Sequence, residues 1–554
     1  MLRFIIFSVV FFSFILPINS QEVSVEWSDD LIEFKKRKKD QYVNKVIGSN
    51  DQYVYVLLES TRRKSRFASN APEKFTVQQY DKSNLKLVKE VPLKGYGNVK
   101  ESKEYLDLDV LAGVMADQTV RIFWRNKNGN EILLEELRED LTIKTNIQLI
   151  CNIGGGSLVH FLESEGDSDN VAFVVQSTDE INKPLYLNYV LLDSDFNEIN
   201  KGRIDFPFKP VKKNRLDHLL KSKLDIDYKL APKGQLIIKT YGRREKKRLY
   251  FDTEYPEEYT LFIKADLLTE EVALLPLLFD DKIVKGVDFK MNNEVEVFGF
   301  YSDIDRFEDE PIEHGVYTAL INLEDFDLNN EISNPFAENY LKKINENISK
   351  SERRSKNRTL VVSGKGAFYQ VEKILKEDDG SVLLFSSFSL NTADQSVPVH
   401  GTSSLSQRID RSCKKKNVLA IKLNSQREIV WLNNALRHAE YSTNYQVKDL
   451  KVIKEIDNYY VAYPSHFEVD EKGFLGTSKR LNRDEIQNNI EYAMFNTRTS
   501  EYSVNRYNIN PSGTSKKFLR KVRKIYSVDN NLYFYARNFK KKKYLSIGLF
   551  KVKN

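Results

Sequence analysis

Eight times along this chain, a turn rich in Asp, Asn, Gly or Lys runs straight into a short and almost wholly apolar stretch. The clearest copy is Glu377–Phe388, which reads E-D-D-G-S-V-L-L-F-S-S-F. Asp378, Asp379 and Gly380 tolerate the backbone angles of a tight turn. Val382–Phe388 then has the unbroken apolar character of a strand covered on both faces rather than wetted on one. The other copies are Asn50–Gln52 before Tyr53–Leu58, Asp117-Gln118 before Val120–Trp124, Asp167–Asn170 before Val171–Val175, and Lys233-Gly234 before Leu236–Ile238. Asn292-Asn293 before Val295–Tyr301, Asp457-Asn458 before Tyr459–Tyr463, and Asp529–Asn531 before Leu532–Tyr535 complete the set. Successive strand starts lie 51 to 87 residues apart. Self-similarity at such spacing points first to a propeller or a solenoid.

A second unit follows each of these strands: a hairpin whose turn begins with Asp or Asn after an apolar run. Tyr80-Asp81, Leu192-Asp193, Leu423-Asn424 and Phe495-Asn496 are examples. A shorter apolar run precedes most of the first turns, as at Tyr42–Ile47, Leu106–Val114 and Tyr369–Leu375. Each repeat therefore predicts four strands, inner A, then B, C and outer D, and four-stranded sheets repeated radially are propeller blades. The last repeat lacks a strand D, while Glu22–Trp27 is a strand without a repeat. Pairing the two closes the ring and hides both edges. The expected fold is all-β, a propeller of eight blades (seven if Val120 or Leu532 does not head a repeat), closed by the N-terminal strand. Short strands at regular spacing also fit β-sandwich domains. One inserted helix is expected near 334–358. It opens at Asn334-Pro335, places Phe336, Tyr340, Leu341, Ile344 and Ile348 on one face, and ends in the charged tail Lys350–Arg358.

Met1–Ser20 reads as a secretory signal peptide, with Arg3 at its start, the apolar run Phe4–Leu16, and small Ser20 before Gln21. The run is too short for a comfortable membrane span. The expectation is an exported protein, periplasmic or extracellular, with residues 21–554 forming one propeller domain and no transmembrane segment. Cys151 and Cys413 are the only two cysteines in 554 residues, so disulfides are not the basis of the fold. Both are expected to be free thiols. The formal charge of +6 falls to +5 without Arg3, a mild balance that conceals local patches.

Tests for catalytic motifs fail. No H-E-x-x-H, paired C-x-x-C, G-x-S-x-G or sialidase Asp box occurs. The six histidines, 160, 218, 314, 400, 438 and 466, show no ligand spacing. Gly154–Ser157 and Gly364–Gly366 are glycine-rich without a following G-K-[ST] and read as flexible turns. Asp193–Asn197 copies the start of a calcium loop but has Glu198 where the loop needs Gly and Ile204 where it needs Glu, so a hairpin turn fits better. Ser302–Glu313 reads as a solvated acidic loop. No cofactor or metal is implied.

Insertions are the most informative polar feature. The longest gaps fall between strands B and C: Ser60–Lys74, Gly242–Glu258, Ser302–His314, Ser389–Asn417 and Ser465–Asn488. B–C and D–A connections leave a propeller on one face, and insertions gathered on one face often mark the binding side. Three are basic, and they supply the candidate binding residues Arg62, Arg63, Lys64 and Arg66; Arg243, Arg244, Lys246, Lys247 and Arg248; and Lys414, Lys415 and Lys416, beside Arg411.

Glu294–Asp303 with His314–Asn322, Val371–Phe388 and Asn417–Leu432 resemble, in their turn-and-hairpin style, uncharacterised exported β-propeller-like proteins of Gram-negative bacteria. The resemblance spans most of the mature chain. It implies a propeller in the envelope or outside the cell, and it carries over no catalytic or binding residue. The functional expectation is a non-enzymatic binding or scaffold protein of the envelope, whose partner is a protein or an anionic surface polymer rather than nucleic acid. The alternative is an enzyme acting on an extracellular polymer such as a glycan, with its site in the central funnel. Two or three carboxylates with a His or Tyr within hydrogen-bond reach at the funnel mouth would favour the enzyme.

Overall fold

The computed structural model describes residues 23–28, 39–62, 71–93, 108–126, 130–154, 158–165, 170–176, 186–205, 227–244, 257–279, 281–291, 294–303, 313–342, 359–361, 367–395, 409–441, 450–463, 467–468, 479–480, 489–509, 520–538 and 545–552. They form eight antiparallel blades in a ring. The strands B are Tyr53–Arg62, Thr119–Asn126, Val171–Gln176, Gln235–Arg244, Val295–Asp303, Val382–Gln395, Asn458–Tyr463 and Asn531–Asn538 for blades 1 to 8. Each coincides with one of the apolar stretches read from the sequence. The ring is held by eight apolar clusters, one at each blade junction. Strand B alternates between them. Val54 and Val56 face blade 8 while Tyr55 and Leu57 face blade 2, and Leu383 and Phe385 face blade 7 while Val382 and Leu384 face blade 5. Both faces of strand B are dry, so its polar positions are few.

Closure is as expected. Val23–Trp27 supplies the fourth strand of blade 8, antiparallel to Leu545–Val552 with Val23 opposite Val552 and Trp27 opposite Gly548. A Cβ at Gly548 would sit 2.8 Å from the Trp27 ring, so only glycine lets the indole lie flat across this strand. Ser28 ties the strand's end, donating from N to Ile547 O at 2.9 Å.

The C–D turns of blades 1 to 7 explain the recurring Asp or Asn. Asp81, Asp140, Asp193, Asp266, Asn322, Asn424 and Asn496 each accept backbone N–H bonds from the turn on a side-chain oxygen, which is the turn's substitute for ladder pairing. Asp193 accepts from the N–H groups of Asp195 and Asn197 and from the Asn197 amide, as a hairpin turn. Each turn holds one residue at positive φ: Leu85, Leu141, Phe196, Glu270, Phe326, Arg427 and Ser500. These turns reach backward. Glu139 O of blade 2 accepts from Tyr55 Oη and Gln79 Nε2 of blade 1, both at 2.8 Å. Phe196 of blade 3 packs edge-on against Phe123 of blade 2. Leu267 O of blade 4 accepts from Asn200 at 2.7 Å, Leu323 O of blade 5 from Lys264 at 2.7 Å, and Arg427 of blade 6 donates to Glu296 of blade 5 at 2.9 Å. Ser500 O of blade 7 accepts from Asn433 at 2.5 Å.

Two expectations are corrected. Asn334-Pro335 does not open the helix: both residues end strand D of blade 5, Leu328–Pro335, with Pro335 opposite Gly315. Proline is tolerated there because the outer strand leaves one edge unpaired. The described part of the helix is residues 338–342; Ile344, Ile348 and Lys350–Arg358 lie outside the described residues. The B–C insertions are also partly strand. In blade 6, B and C run on to Gln395 and from Ile409, and D reaches Tyr441, with Thr359–Val361 added at the edge.

Candidate functional site

The face carrying the B–C and D–A connections, here the upper face, holds those candidate binding residues that the structure describes. Arg62 is the last residue of strand B in blade 1, opposite Ala71. Arg243 and Arg244 end strand B of blade 4, in register with Glu258 and Glu257. Lys414 and Lys415 lie on the extended strand C of blade 6, opposite Leu390 and Ser389, and Lys416 follows in the same strand. They thus come from three separate hairpins, all at the end away from the A–B and C–D turns. Arg63, Lys64, Arg66, Lys246, Lys247 and Arg248 lie outside the described residues. Cys151 is a free, buried thiol, and burial pushes it up to about 12.

Beneath this rim, the inner strands A line a central channel, and register fixes which residues share a level. Opposite Leu57, Phe123, Val174, Lys239, Phe298, Phe385, Ala462 and Tyr535 of the strands B stand Lys45, Ala112, His160, Asp227, Asp288, Lys373, Lys451 and Lys524, in blade order. Blades 6, 7, 8 and 1 therefore present four lysines in succession. In blades 1, 6 and 8 the lysine directly follows a β-bulge. A bulge re-aims the side chains beside it. In blade 6 the bulged residue is Glu372, which is buried and accepts hydrogen bonds from Ser387 Oγ and, at 3.0 Å, from Leu450 N of blade 7. Lys45, Lys373 and Lys524 are exposed although they sit on the innermost strands, so the channel is wet at this level.

Two further lysines stand one level lower in blades 4 and 5: Lys229, opposite Ile237, and Lys290, opposite Glu296. Lys373 is held below the ordinary lysine range by crowding of protein around it, then by Lys229, Lys451 and Lys290, against the opposing pull of Asp288. Lys45 is lowered by the same crowding, opposed by Glu163 of blade 3. The channel carboxylates are better provided for. Asp227 pairs with Lys239, and Glu165 accepts from Lys229 at 2.9 Å and from Met291 N at 3.3 Å. Among the described residues, the ammonium groups of Lys290, Lys373 and Lys451 make no hydrogen bond or ion pair. His160 packs on Tyr228 with ring centroids 4.6 Å apart, and burial lowers its pKa, favouring the neutral ring.

A second polar group lies at the junction of blades 5 and 6, under the short helix. Glu313 was expected on a solvated loop. Instead it is 3% exposed, with Oε1 accepting from Tyr369 N at 3.1 Å, while Oε2 is buried and has no hydrogen-bond partner among the described residues. Burial pushes its carboxyl up to about 7 against the pull of Lys285. Tyr340 and Tyr369 share a hydroxyl contact of 2.8 Å, and His314 Nδ1 accepts from Asp303 N at 2.9 Å. This single carboxyl beside a His and two Tyr lies at a blade junction and is not the set of two or three carboxylates at the funnel mouth that the polymer-cleaving alternative asks for. Here His314 is 1% and Tyr369 0% exposed, so the group is sealed against a substrate. No set of three or more metal-ligating side chains occurs among the described residues, and none of their helices is long and apolar enough to cross a membrane.

The channel lysines escaped sequence reading because they are scattered one to a strand among polar and apolar neighbours, far apart in the chain. The shared register with strand B was the one available signal.

No protein-family model matches this chain, and no curated protein matches it. Among solved structures it is similar to a protein of unknown function from Bacteroides caccae, at 9% identity and a TM-score of 0.24, covering 72% of this chain and 94% of that one. It is also similar to the β-propeller domain of the Trilobed protease from Pyrococcus furiosus, at 9% identity and a TM-score of 0.28, covering 74% and 98%. An ulvan lyase from a new family of polysaccharide lyases matches at 7% identity and a TM-score of 0.32, covering 85% and 94%. At these identities and TM-scores none of them bears on what this chain does.

Proposed function

We propose that this chain is an exported, non-enzymatic binding or scaffold protein of the cell envelope that engages an anionic partner, a surface polymer or an acidic protein, through its upper face. The reading is supported by one observation above all: Arg62, Arg243 with Arg244, and Lys414–Lys416 stand on B–C hairpins of three different blades, so basic residues from distant parts of the chain share one face of the ring. Such contacts weaken with salt, because the Debye length shrinks from about 10 Å at 0.1 M to about 3 Å at 1 M. The test is retention on a sulfonated matrix of the mature protein and of a variant with Arg243, Arg244, Lys246, Lys247 and Arg248 changed to Ser. Earlier elution of the variant supports the reading. Equal elution at equal salt overturns it for this cluster.

A further inference from the structure

Register alone assembles a second basic feature inside the ring. Lys229, Lys290, Lys373 and Lys451 come from strands A of blades 4, 5, 6 and 7, and the charges of the other three all act on Lys373. Among the described residues, Asp288 and Glu165 are the carboxylates within the same group, and Asp227 is already matched by Lys239. Four ammonium groups against two carboxylates leave a formal +2. Further round the channel stand Lys45 with Glu163, neutral His160 and Lys524, so the surplus is not cancelled from the opposite wall by the described residues.

Such a surplus is costly to keep. Like charges disfavour one another, and crowding removes part of their water. A lysine that only served solubility would extend from an outer strand instead. Here the chain spends a β-bulge on turning Lys373 inward, with Glu372 sent the other way to cap blade 7. The ammonium groups of Lys290, Lys373 and Lys451 keep their hydrogen-bonding capacity unspent among the described residues, in a channel that water enters. Lysine is a compact point charge with three rotatable donors, suited to tetrahedral oxyanions approached from several sides.

We propose that the central channel holds a compact polyanion of the phosphate or sulfate type, carrying at least two negative charges, between Lys229, Lys290, Lys373 and Lys451. This site is separate from the upper rim and does not depend on the rim's role. Its ligand is small enough to enter the ring, whereas the rim faces an extended partner.

The test is calorimetric titration of the mature protein at low ionic strength with tripolyphosphate and, separately, with a sulfated disaccharide. Saturable binding of either supports the site, and the tighter of the two identifies phosphate or sulfate. The Lys373→Gln/Lys451→Gln variant should bind about tenfold more weakly or worse, since partners of desolvated charges are lost. Lys86→Gln, in an exposed turn on the lower face, should bind as wild type, and so should Arg243→Ser/Arg244→Ser on the rim. Thermal unfolding without ligand should show the double variant at least as stable as wild type, because the change relieves repulsion, while ligand should raise the wild-type midpoint. Three results would overturn the proposal: no saturable binding of either anion, equal binding by the channel variant, or binding lost with the rim variant alone.

Discussion

Replacing Glu313 by Gln should make this protein more stable at pH 8 and leave it unchanged at pH 4.5. The carboxyl is buried between blades 5 and 6 with one oxygen lacking a hydrogen-bond partner among the described residues, and its pKa is pushed from 4.5 up to about 7. The folded state therefore holds the Glu313 proton more tightly than the unfolded state does. Stability from this group is fully present below the unfolded pKa and is lost as pH rises through the window from 4.5 to about 7. A displacement of that size corresponds to roughly 3 kcal/mol at pH 8, as an order of magnitude. Glutamine has the shape of the protonated acid, presents a donor at the same position and never charges, so the variant should escape the loss. Urea unfolding followed by tryptophan fluorescence, at steps from pH 4.5 to 8, measures it. The two proteins should coincide at the acid end and separate progressively above it, the variant being the more stable. A difference that is constant across this range, or that favours wild type as pH rises, refutes the account of a strained, desolvated carboxylate.

Gly548→Val should crowd the Trp27 ring and loosen the closing strand, seen as faster amide exchange confined to Val23–Trp27 and Leu545–Val552 with the other blades unchanged. Leu141→Ala should cost about 2–5 kcal/mol in denaturant unfolding, since Leu141 is buried between blades 1 and 2 and alanine keeps the positive φ while losing the packing. Cys151 should resist iodoacetamide at pH 8 in the folded protein and react once urea opens it, because burial holds the thiol protonated; rapid native labelling would contradict its placement.

The ring was legible because two physical demands coincide in each repeat. A strand dry on both faces must be apolar throughout, and a turn without ladder partners needs an Asp or Asn side chain to stand in. Val382–Phe388 after Asp378–Gly380 shows both at once. The helix start was misplaced for an equally physical reason. Asn334-Pro335 carries the local chemistry of a helix N-terminus, but tertiary pairing with Gly315 and Val316 claims both residues for strand D, and Asn334 is further held by Arg427 O at 2.8 Å. Glu313 looked solvated because five acids precede it between 303 and 310, yet it is itself buried against Tyr369 at the junction of blades 5 and 6. The channel lysines could not be seen as a group, since Lys229 and Lys451 come to act on Lys373 only once the ring exists.

The backward-reaching turns have a bearing on how the ring is made. Synthesis delivers a chain from its N-terminus, so the turn of each new blade meets a docking surface that has already emerged. Blade 2 can lean on Tyr55 and Gln79 of blade 1, and blade 6 on Glu296 of blade 5, without waiting for anything downstream. Assembly can then advance by accretion, one sheet at a time, with little exposed apolar surface ahead of the growing end. Blade 1 is the exception. Leu85 packs in the same cluster as Tyr533 and Tyr535 of blade 8, so the first turn made is the last to find its place. A ribosome that stalls before the final blade leaves that surface bare, which would mark the unfinished chain for any protease that samples it.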